Sequence, residues 1–217
     1  MIGEFFIISN RIKKKIGSIF SGKQDMILDL GCGNNPGYHK FIEGRIICFD
    51  RVKTGITQII GDANNIPFKA NSFEKVISIN SFYYFKNPFS VVRGIKRILK
   101  KNGKLVMVFP FIYPIHDAPE DRYRFTEYGI RQLLKDDFDI RYIQAVGGIF
   151  NLPAVFFHSL IKGIPLLAPK RLKALTSLLS IIILYPFYIL AQIMSLLDFL
   201  DKSGRWPTYY FTVAIKK

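Results

Sequence analysis

Short apolar runs separated by polar turns fill the first two thirds of the chain and predict six strands. The runs are continuous rather than alternating, which is typical of a sheet that is buried on both faces. They read MILDL, RIICFD, TQII, FEKVISI, KLVMVFP and FDIRYIQAV. Segments with helical spacing lie between the later strands, so the pattern predicts right-handed crossovers and a mainly parallel sheet.

Two of these intervening segments carry recognisable helix ends. Residues 88–101 place apolar side chains at helical spacing and are followed by Asn102 and Gly103, a pair typical of a helix C-terminus. Thr126 precedes the second segment as its predicted N-cap, because its hydroxyl can accept from a free backbone N–H in the first turn.

The pattern changes after residue 146. From Ala145 to Leu197 the charged residues are all basic, and two apolar stretches flank a basic cluster, PKRLK. The second stretch has 24 uncharged residues, 174–197. As a helix it would be about 36 Å long at about 1.5 Å per residue, enough to span a bilayer. The first stretch, 147–161, has 15 residues, which argues against two full crossings.

The charge balance points to anionic partners. The chain has 217 residues, of which 31 are basic and 16 acidic, for a formal net charge of +15. This balance favours nucleic acid, anionic lipid or phosphorylated substrates. The two cysteines, Cys32 and Cys48, form no disulfide framework and have no metal-ligand spacing. We therefore predict no metal site and a reducing, cytosolic environment.

The segment LDLGCGNNPG follows the first strand, and Asp50 ends the second. A glycine turn lets a ligand approach the backbone, and a helix beginning there would offer free N–H groups. An acid at the end of the second strand can accept both hydroxyls of a ribose. These features fit either a dinucleotide fold or a fold that binds S-adenosylmethionine (SAM).

Three details favour SAM. Pro36 stands where the dinucleotide fingerprint has its third glycine. Asp29, two residues before Gly31, would repel a pyrophosphate but suits the ammonium of an amino acid. In GDANNIPF, after the third strand, Asp62 can accept from an adenine amino group and the Ala63 N–H can donate to the ring.

With these motifs in order, the chain resembles class I SAM-dependent methyltransferases over residues 26–146 and the last strand. The matching segments are LDLGCG, the acid Asp50, GDANNIPF, VISINSFYYFKNP and IKRILKKNGKLVMVFP. The resemblance implies an α/β, Rossmann-like sheet of seven mostly parallel strands with an antiparallel last strand, which TYYFTVAIKK fits. It also implies a single domain, 1–217, with an apolar helical insert, 147–204, between strands six and seven.

The resemblance assigns a SAM site to residues that follow strands one to four. These are Asp29, Gly31, Gly33, Asp50, Asp62, Ala63 and Asn80. By resemblance to the family, Asp29, Gly31 and Gly33 line the methionine and ribose region of the cofactor. Asp50 would hold the ribose hydroxyls, and Asn80 would face the methyl donor. The sequence departs from the family at NNPG, where another glycine is common. A plain turn or cap role is the alternative for each residue.

The segment PFIYPIHDAPEDRYRFTEYG follows the fifth strand, at the sheet edge where ligands bind in such folds. Its candidate catalytic residues are His116 and Asp117, and the candidate substrate contacts are Arg122, Arg124 and Tyr83. A histidine beside a carboxylate suits a general base, and arginines suit an acceptor phosphate or carboxylate. The alternative is an ion-pair network of Asp121 with the arginines that pins the loop.

The last strand constrains the insert, because both of its ends must return to one sheet. A single membrane crossing is therefore excluded. We expect a monotopic hairpin, re-entrant or in-plane, whose basic cluster meets anionic headgroups at the cytoplasmic face of the membrane. The alternative is a cytoplasmic protein in which the insert covers the active site or forms a homodimer interface.

The first functional hypothesis is SAM-dependent O-methylation of a lipid-linked or sugar-containing acceptor at the membrane surface. The pattern HDxPxDxxRFT resembles a subgroup associated with glycan and lipid-linked sugar pathways. The second hypothesis is a soluble methyltransferase for a small metabolite such as a quinone or polyketide. Nucleic-acid methylation ranks third, because SINSFYY stands where an NPPY-type motif would be. A non-catalytic SAM-binding protein is a fourth.

Overall fold

A seven-stranded sheet organises the protein, as seen in a computed structural model that describes residues 5–34 and 36–217. The strands are β1 (Met26–Leu30), β2 (Arg45–Asp50), β3 (Ile59–Ile60), β4 (Phe73–Ile79), β5 (Leu99–Pro110), β6 (Phe138–Val146) and β7 (Tyr209–Lys216). Their order across the sheet is β3-β2-β1-β4-β5-β7-β6. Strands β1 to β5 pair in parallel, and β7 runs antiparallel beside β5. The predicted fold class is confirmed.

Both faces of the sheet are covered. Neighbouring residues on one strand point to opposite faces, and Val76 and Ile77 are both fully buried. The same holds for Leu105 and Val106 in β5. The continuous apolar runs therefore reflect burial on both sides, as expected for parallel strands.

Five α-helices accompany the strands in the described residues: α1 (Phe6–Ile19), α2 (Pro88–Ile98), α3 (Glu127–Leu134), α4 (Leu152–Leu167) and α5 (Lys173–Met194). Thr126 caps α3 as predicted, since its hydroxyl accepts from the Gly129 N–H. The expected end of α2 at Asn102 is wrong. The helix ends at Ile98, because Leu99 pairs with Phe73 and the chain has already entered β5.

The glycine turn after β1 is not followed by an α-helix. In the described part of the connection to β2, the helical structure is a 3-10 turn, His39–Phe41. The expectation of a helix start at this turn is wrong. Pro36 and Gly37 favour tight turns over a helix, and the His39 N–H closes one by donating to the Pro36 carbonyl at 2.9 Å. Asn35, in the departing NNPG motif, lies outside the described residues.

The chain divides into two compact units. The first, here the sheet unit, comprises residues 12–111, 115–144 and 209–217. The second, here the helical unit, comprises residues 5–11, 112–114 and 145–208.

The helical unit is built around α4 and α5, which pack against each other and form a helical hairpin. They are joined by residues 168–172, which include a 3-10 turn, Lys170–Leu172. Two stretches, Ile149–Leu167 and Lys170–Leu200, are long and apolar enough to cross a membrane, and their most apolar windows are 22% and 17% buried. The hairpin is therefore unlike a core helix of a soluble protein, which would be mostly buried.

Candidate functional site

The glycine turn at the end of β1 is open on one side. Gly31 and Gly33 have φ values of 78° and 64°, in the left-handed region that favours glycine. A Cβ on Gly31 would lie 2.4 Å from the Ser81 hydroxyl oxygen, whereas a Cβ on Gly33 would meet nothing within 4 Å among the described residues, which leave out Asn35. Packing thus requires glycine at position 31, and position 33 leaves room for a ligand to approach the backbone.

Asp50 is held against this turn at the carboxyl end of β2. One carboxylate oxygen accepts from the Gly33 N–H at 2.9 Å, and the other accepts from the Val52 N–H at 3.0 Å. A carboxylate oxygen can accept more than one hydrogen bond, so both oxygens retain capacity for a ligand. The structure therefore brings Asp50 and Gly33 together, as the motif spacing predicts.

Asp29 is completely buried between two side chains from the turn that follows. Its Oδ2 accepts from the Tyr38 hydroxyl at 2.8 Å and lies 2.6 Å from His39 Nε2, while its Oδ1 has no hydrogen-bond partner in the described part of the chain. Burial raises the pKa of Asp29, although the His39 and Tyr38 contacts oppose the shift. An unpartnered buried carboxylate oxygen costs about 1–3 kcal/mol, so a ligand donor would relieve it.

The sequence did not reveal this cluster, which includes His39. Asp29, His39 and Cys48 bring their potential metal-ligand atoms within 4.8 Å of one another, although they lie on two strands and a turn. The Asp29–His39 contact already occupies two of those atoms. Burial also raises the pKa of the Cys48 thiol, which favours the protonated form over a metal-binding thiolate. The geometry thus describes a hydrogen-bonded cluster around Asp29.

Asp62 acts as the cap of a 3-10 turn, Ala63–Asn65. Its Oδ1 accepts from the backbone N–H of Asn64 at 2.9 Å and from the Asn64 side-chain amide at 2.8 Å. These bonds lower the pKa of Asp62, the backbone one most strongly. Asp62 is exposed and Ala63 is buried. The described contacts fit the cap role that was the alternative for Asp62.

Asn80 is strained at the end of β4. Its φ is 51°, and its backbone N–H donates to the Val108 carbonyl. Its side-chain oxygen and nitrogen are both buried, and neither has a hydrogen-bond partner among the residues that the structure describes. A left-handed non-glycine residue and an unpartnered buried amide each cost free energy, of the order of 1–3 kcal/mol. Such a residue at the ligand-binding edge of the sheet marks a position at which a ligand can supply the missing partners.

The loop after β5 surrounds His116 with polar groups. Its Nδ1 lies 3.2 Å from Asp121 Oδ2, and its Nε2 lies 3.1 Å from Asp117 Oδ2 and 3.0 Å from the Tyr83 hydroxyl. The predicted residues His116, Asp117 and Tyr83 therefore do come together. Both ring nitrogens already have partners. A substrate hydroxyl must therefore replace one of these partners before His116 can take its proton.

Tyr84 completes this cluster and was missed by sequence reasoning. Its hydroxyl donates to Asp117 Oδ2, the oxygen that also faces His116. Burial and the bond to Asp117 raise the pKa of Tyr84 to about 12. The only sequence signal was the adjacent pair of tyrosines in SFYYF, which does not reveal the partner 33 residues away.

The two arginines are paired within the loop. Arg124 donates to the buried Asp121 carboxylate through both terminal nitrogens, and its Nη2 lies 2.7 Å from Asp121 Oδ2. The guanidinium lies 5.6 Å from the centre of the Tyr83 ring. Arg122 pairs with Glu120 at 2.7 Å and donates to the Tyr84 carbonyl at 2.7 Å. These contacts form the ion-pair network that was the alternative to acceptor binding.

Comparisons with known proteins agree with the motifs. Residues 28–107 match a family model described as a methyltransferase domain. An uncharacterised protein of Methanocaldococcus jannaschii is 33% identical over 149 residues, which cover 63% of this chain and 64% of that protein. Demethylmenaquinone methyltransferase of Thermotoga maritima is 31% identical over 93 residues, covering 43% of this chain and 35% of the enzyme. The chain thus spans less than two thirds of the length of these curated relatives.

Solved structures share the fold. A protein of Galdieria sulphuraria with the suggested activity of a sarcosine dimethylglycine methyltransferase superposes with a TM-score of 0.62, at 14% identity, over 95% of this chain and 86% of that one. Phosphoethanolamine N-methyltransferase 2 of Haemonchus contortus, solved with SAM, gives 0.56 at 17% identity over 95% of this chain and 52% of that one. Over residues 28–107 the chain therefore carries the methyltransferase domain that its motifs predict, on a class I methyltransferase fold.

Proposed function

We propose that the sheet unit binds SAM at the carboxyl ends of β1, β2 and β4 and acts as a SAM-dependent methyltransferase. One observation carries the proposal. The Asp50 carboxylate is fixed by the Gly33 N–H beside a glycine turn that is open on its outer side. In open α/β sheets this is the crevice in which ligands bind, and an acid there suits two ribose hydroxyls.

The neighbouring groups suit the rest of the cofactor. The unpartnered Oδ1 of Asp29 is proposed to receive the ammonium of the methionine part, and the unpartnered amide of Asn80 is proposed to face the methyl-donor end. Asp62 and the Ala63 N–H remain the proposed adenine contacts. When bound, SAM would supply an electrophilic methyl group for in-line attack by an acceptor atom, with its neutral thioether as the leaving group.

His116 is the proposed general base for a hydroxyl acceptor. The acceptor oxygen would replace Tyr83 or Asp117 at Nε2, and the proton would pass from that oxygen to the ring as the oxygen becomes methylated. Asp121 holds the other ring nitrogen, so it fixes the ring while Nε2 accepts the proton. Asp117 is the proposed partner of the ring during the exchange.

The proposed acceptor is lipid-linked or contains a sugar, and is methylated at the cytoplasmic face of a membrane. The exposed apolar surface of the helical unit supports this location. Arg122 and Arg124 are proposed to contact an anionic group of the acceptor. The described bonds of Arg122 all use its Nη1 group, so an acceptor phosphate could share this guanidinium with Glu120.

A soluble methyltransferase for a quinone-like metabolite is the second candidate. Its support is the likeness to demethylmenaquinone methyltransferase over 93 residues. In that case the helical unit would serve as a substrate lid or a dimer interface. Nucleic-acid methylation is the third candidate, and its support is the net charge of +15.

A transfer assay tests the proposal. The full chain is incubated with SAM that carries a labelled methyl group, together with membrane extract, soluble extract or total nucleic acid. We expect label in the lipid-extractable material of the membrane fraction. Because general-base catalysis contributes about 10²–10⁴-fold, His116→Ala should lower the rate at least about 100-fold, while Tyr128→Ala, at an exposed residue of α3, should not. Label confined to soluble metabolites or nucleic acid would select the corresponding alternative.

A further inference from the structure

The outer surface of α5 is apolar around most of the helix. Exposed large side chains include Leu178, Ile181, Ile182, Ile183, Phe187 and Leu190. At about 100° per residue, the exposed apolar positions cover roughly 240° of the circumference. The polar residues Ser180 and Gln192 are buried instead, so they give the hairpin no polar outer face.

This distribution does not suit a helix that lies in a membrane surface. Such a helix needs one apolar face toward the acyl chains and one strongly polar face toward the headgroups. A helix that is apolar on all its outer sides is stable inside a protein core or a bilayer core. The low burial of both apolar windows, 22% and 17%, rules out the protein core for the described residues.

The two arms have the length of membrane spans. Helix α5 has 22 residues, or about 33 Å, against a hydrocarbon core of about 30 Å. Helix α4 continues to Leu167, and with the turn that precedes it forms a stretch of 19 residues, or about 28 Å. The sequence predicted a first arm that ends at residue 161 and is too short to cross. The observed arm is longer, because α4 continues to Leu167.

Charged residues lie at the two ends of the hairpin. Lys170, Arg171 and Lys173 lie at its tip, and Asp201 and Lys202 follow its base. A shallow, tip-first insertion would place the three basic side chains in hydrocarbon, which is costly. A complete crossing places them among the headgroups of the far leaflet.

Between the tip and the base, helices α4 and α5 carry one charge, Lys162, and Asp198 follows α5 shortly before Asp201. Lys162 is exposed and lies about 8 Å, or five residues, before Leu167, so it is near the headgroup end of the span. No acidic residue occurs between residues 145 and 197. The charge pattern therefore suits contact with anionic headgroups at the tip.

We infer that the helical hairpin crosses a lipid bilayer twice, with the basic tip at the far headgroups and both ends on one side. An even number of crossings is required because the hairpin connects β6 and β7, which belong to one sheet. Within 17 residues of the hairpin base, in 132–148 and 201–217, lie six basic residues against three at the tip, a bias that places the base on the cytoplasmic side. The six are Lys135, Arg141, Lys202, Arg205, Lys216 and Lys217. The inference concerns the helical unit and does not depend on the proposed catalysis.

Cysteine labelling in cells tests the topology. The native Cys32 and Cys48 are buried, so the parental chain provides a low background. Three variants of the full chain, expressed in bacteria, are treated with a membrane-impermeant maleimide before or after lysis. We expect Leu172→Cys, at the tip, to react in intact spheroplasts, and Lys202→Cys, after the base, to react only after lysis. Ile182→Cys, in mid-span, should react at least tenfold less in membranes than in denaturant.

Membrane extraction of the parental chain provides a second readout that no variant can disturb. We expect the chain to stay in the membrane pellet after alkaline carbonate and to leave it only in detergent. Release by carbonate, or reaction of Leu172→Cys only after lysis, would overturn the two crossings in favour of a hairpin held in one leaflet. A chain in the supernatant, whether as a monomer or as a dimer, would overturn membrane insertion altogether. Loss of SAM binding alone would affect only the proposed function.

Discussion

The sheet unit and the helical unit use the same kinds of apolar residue in opposite ways. In the sheet unit, Ile77 and Val106 are fully buried, whereas Ile182 and Ile183 in the hairpin are 60% and 57% exposed. The composition of a segment therefore does not reveal whether its side chains form a core. The exposed fraction of a side chain distinguishes residues that form a core in water from residues that present an apolar surface to a lipid or a protein partner.

The helix ends differ in the same way. Helices α2 and α3 begin with side-chain caps, from Asn87 and Thr126, whereas the residues before α4 and α5, Asn151 and Leu172, make no side-chain cap bond. A cap is the usual way to satisfy free N–H groups at a helix start. The sheet-unit helices thus use caps from their own N-cap residues, whereas the turn before α4 is held by the Asp201 carboxylate, which accepts from the Ile149 N–H at 2.9 Å.

The largest expected effect separates the two kinds of apolar residue. Leu105→Ala removes a fully buried side chain in β5 and should lower the free energy of unfolding by about 2–5 kcal/mol. Ile182→Ala, the matched truncation on the hairpin surface, should change it by less than about 0.5 kcal/mol. Urea unfolding of the detergent-solubilised chain, followed by circular dichroism, measures both. Equal losses would show that the hairpin surface is part of a core.

A second comparison concerns ion pairs within the sheet unit. The side chain of Asp121 is fully buried and that of Arg124 is 23% exposed, whereas Arg131 and Glu127 are 51% and 39% exposed. Arg124→Ala removes the guanidinium from a buried carboxylate, which keeps its contact with His116, and should cost about 3 kcal/mol. Arg131→Ala should cost less than about 1 kcal/mol. Thermal unfolding of both variants at pH 7 measures the difference.

The pH dependence of the Arg124→Ala effect follows from the pKa of Asp121. Burial raises this pKa, but the Arg124 guanidinium more than offsets the burial, so the pKa lies below its ordinary value. The stabilisation is therefore complete above the unfolded pKa, about 3.9, and is lost as the pH falls through the folded value. The difference in unfolding free energy between the parent and Arg124→Ala should therefore become smaller in acid. A gap that does not change with pH would contradict this account of the pair.

The third prediction compares the effect of Asp29 on stability with its effect on SAM binding. Asp29→Asn removes a buried negative charge, and burial of that charge raises the pKa of Asp29, so without cofactor the variant should gain about 1–3 kcal/mol at neutral pH. Because the folded-state pKa of Asp29 is raised, the parent regains this stability as the pH falls through that pKa, and the difference should vanish below the unfolded value. Denaturant titrations at several pH values measure this. The same variant should bind SAM more weakly.

The smallest expected effect concerns a helix cap. Thr126→Ala removes the hydroxyl that accepts from the Gly129 N–H, and should cost about 1 kcal/mol. Thr126→Ser keeps the hydroxyl and should remain within about 0.5 kcal/mol of the parent. Urea midpoints of the two variants provide the comparison. An equal loss in both would mean that the methyl group of Thr126, not the cap, stabilises α3.

Much of the fold could be predicted because the signals are local. The strands appear as continuous apolar runs, and Thr126 is recognisable as a cap from its position before a helical pattern. The glycine turn and Asp50 end neighbouring strands, so the parallel topology brings them together. The class I methyltransferase fold follows from these elements in order.

The remaining features depend on contacts between residues far apart in sequence. Leu99 ends α2 early because it pairs with Phe73 across the sheet, which outweighs the Asn102–Gly103 signal. The partners of Asp29 come from a turn that replaces the expected helix, and Tyr84 meets Asp117 across two loops. No periodic pattern in the chain encodes such pairings.

The most direct test of the proposed methyltransferase is calorimetric titration of the purified full chain with SAM and with its demethylated product. We predict one site per chain for both ligands, and affinity about 100-fold weaker in Asp50→Ala, because two hydrogen bonds to a charged group are lost. Asp139→Ala, at an exposed acid of β6, should bind like the parent. Absence of binding by the parent, or full binding by Asp50→Ala, would contradict the assignment of the site.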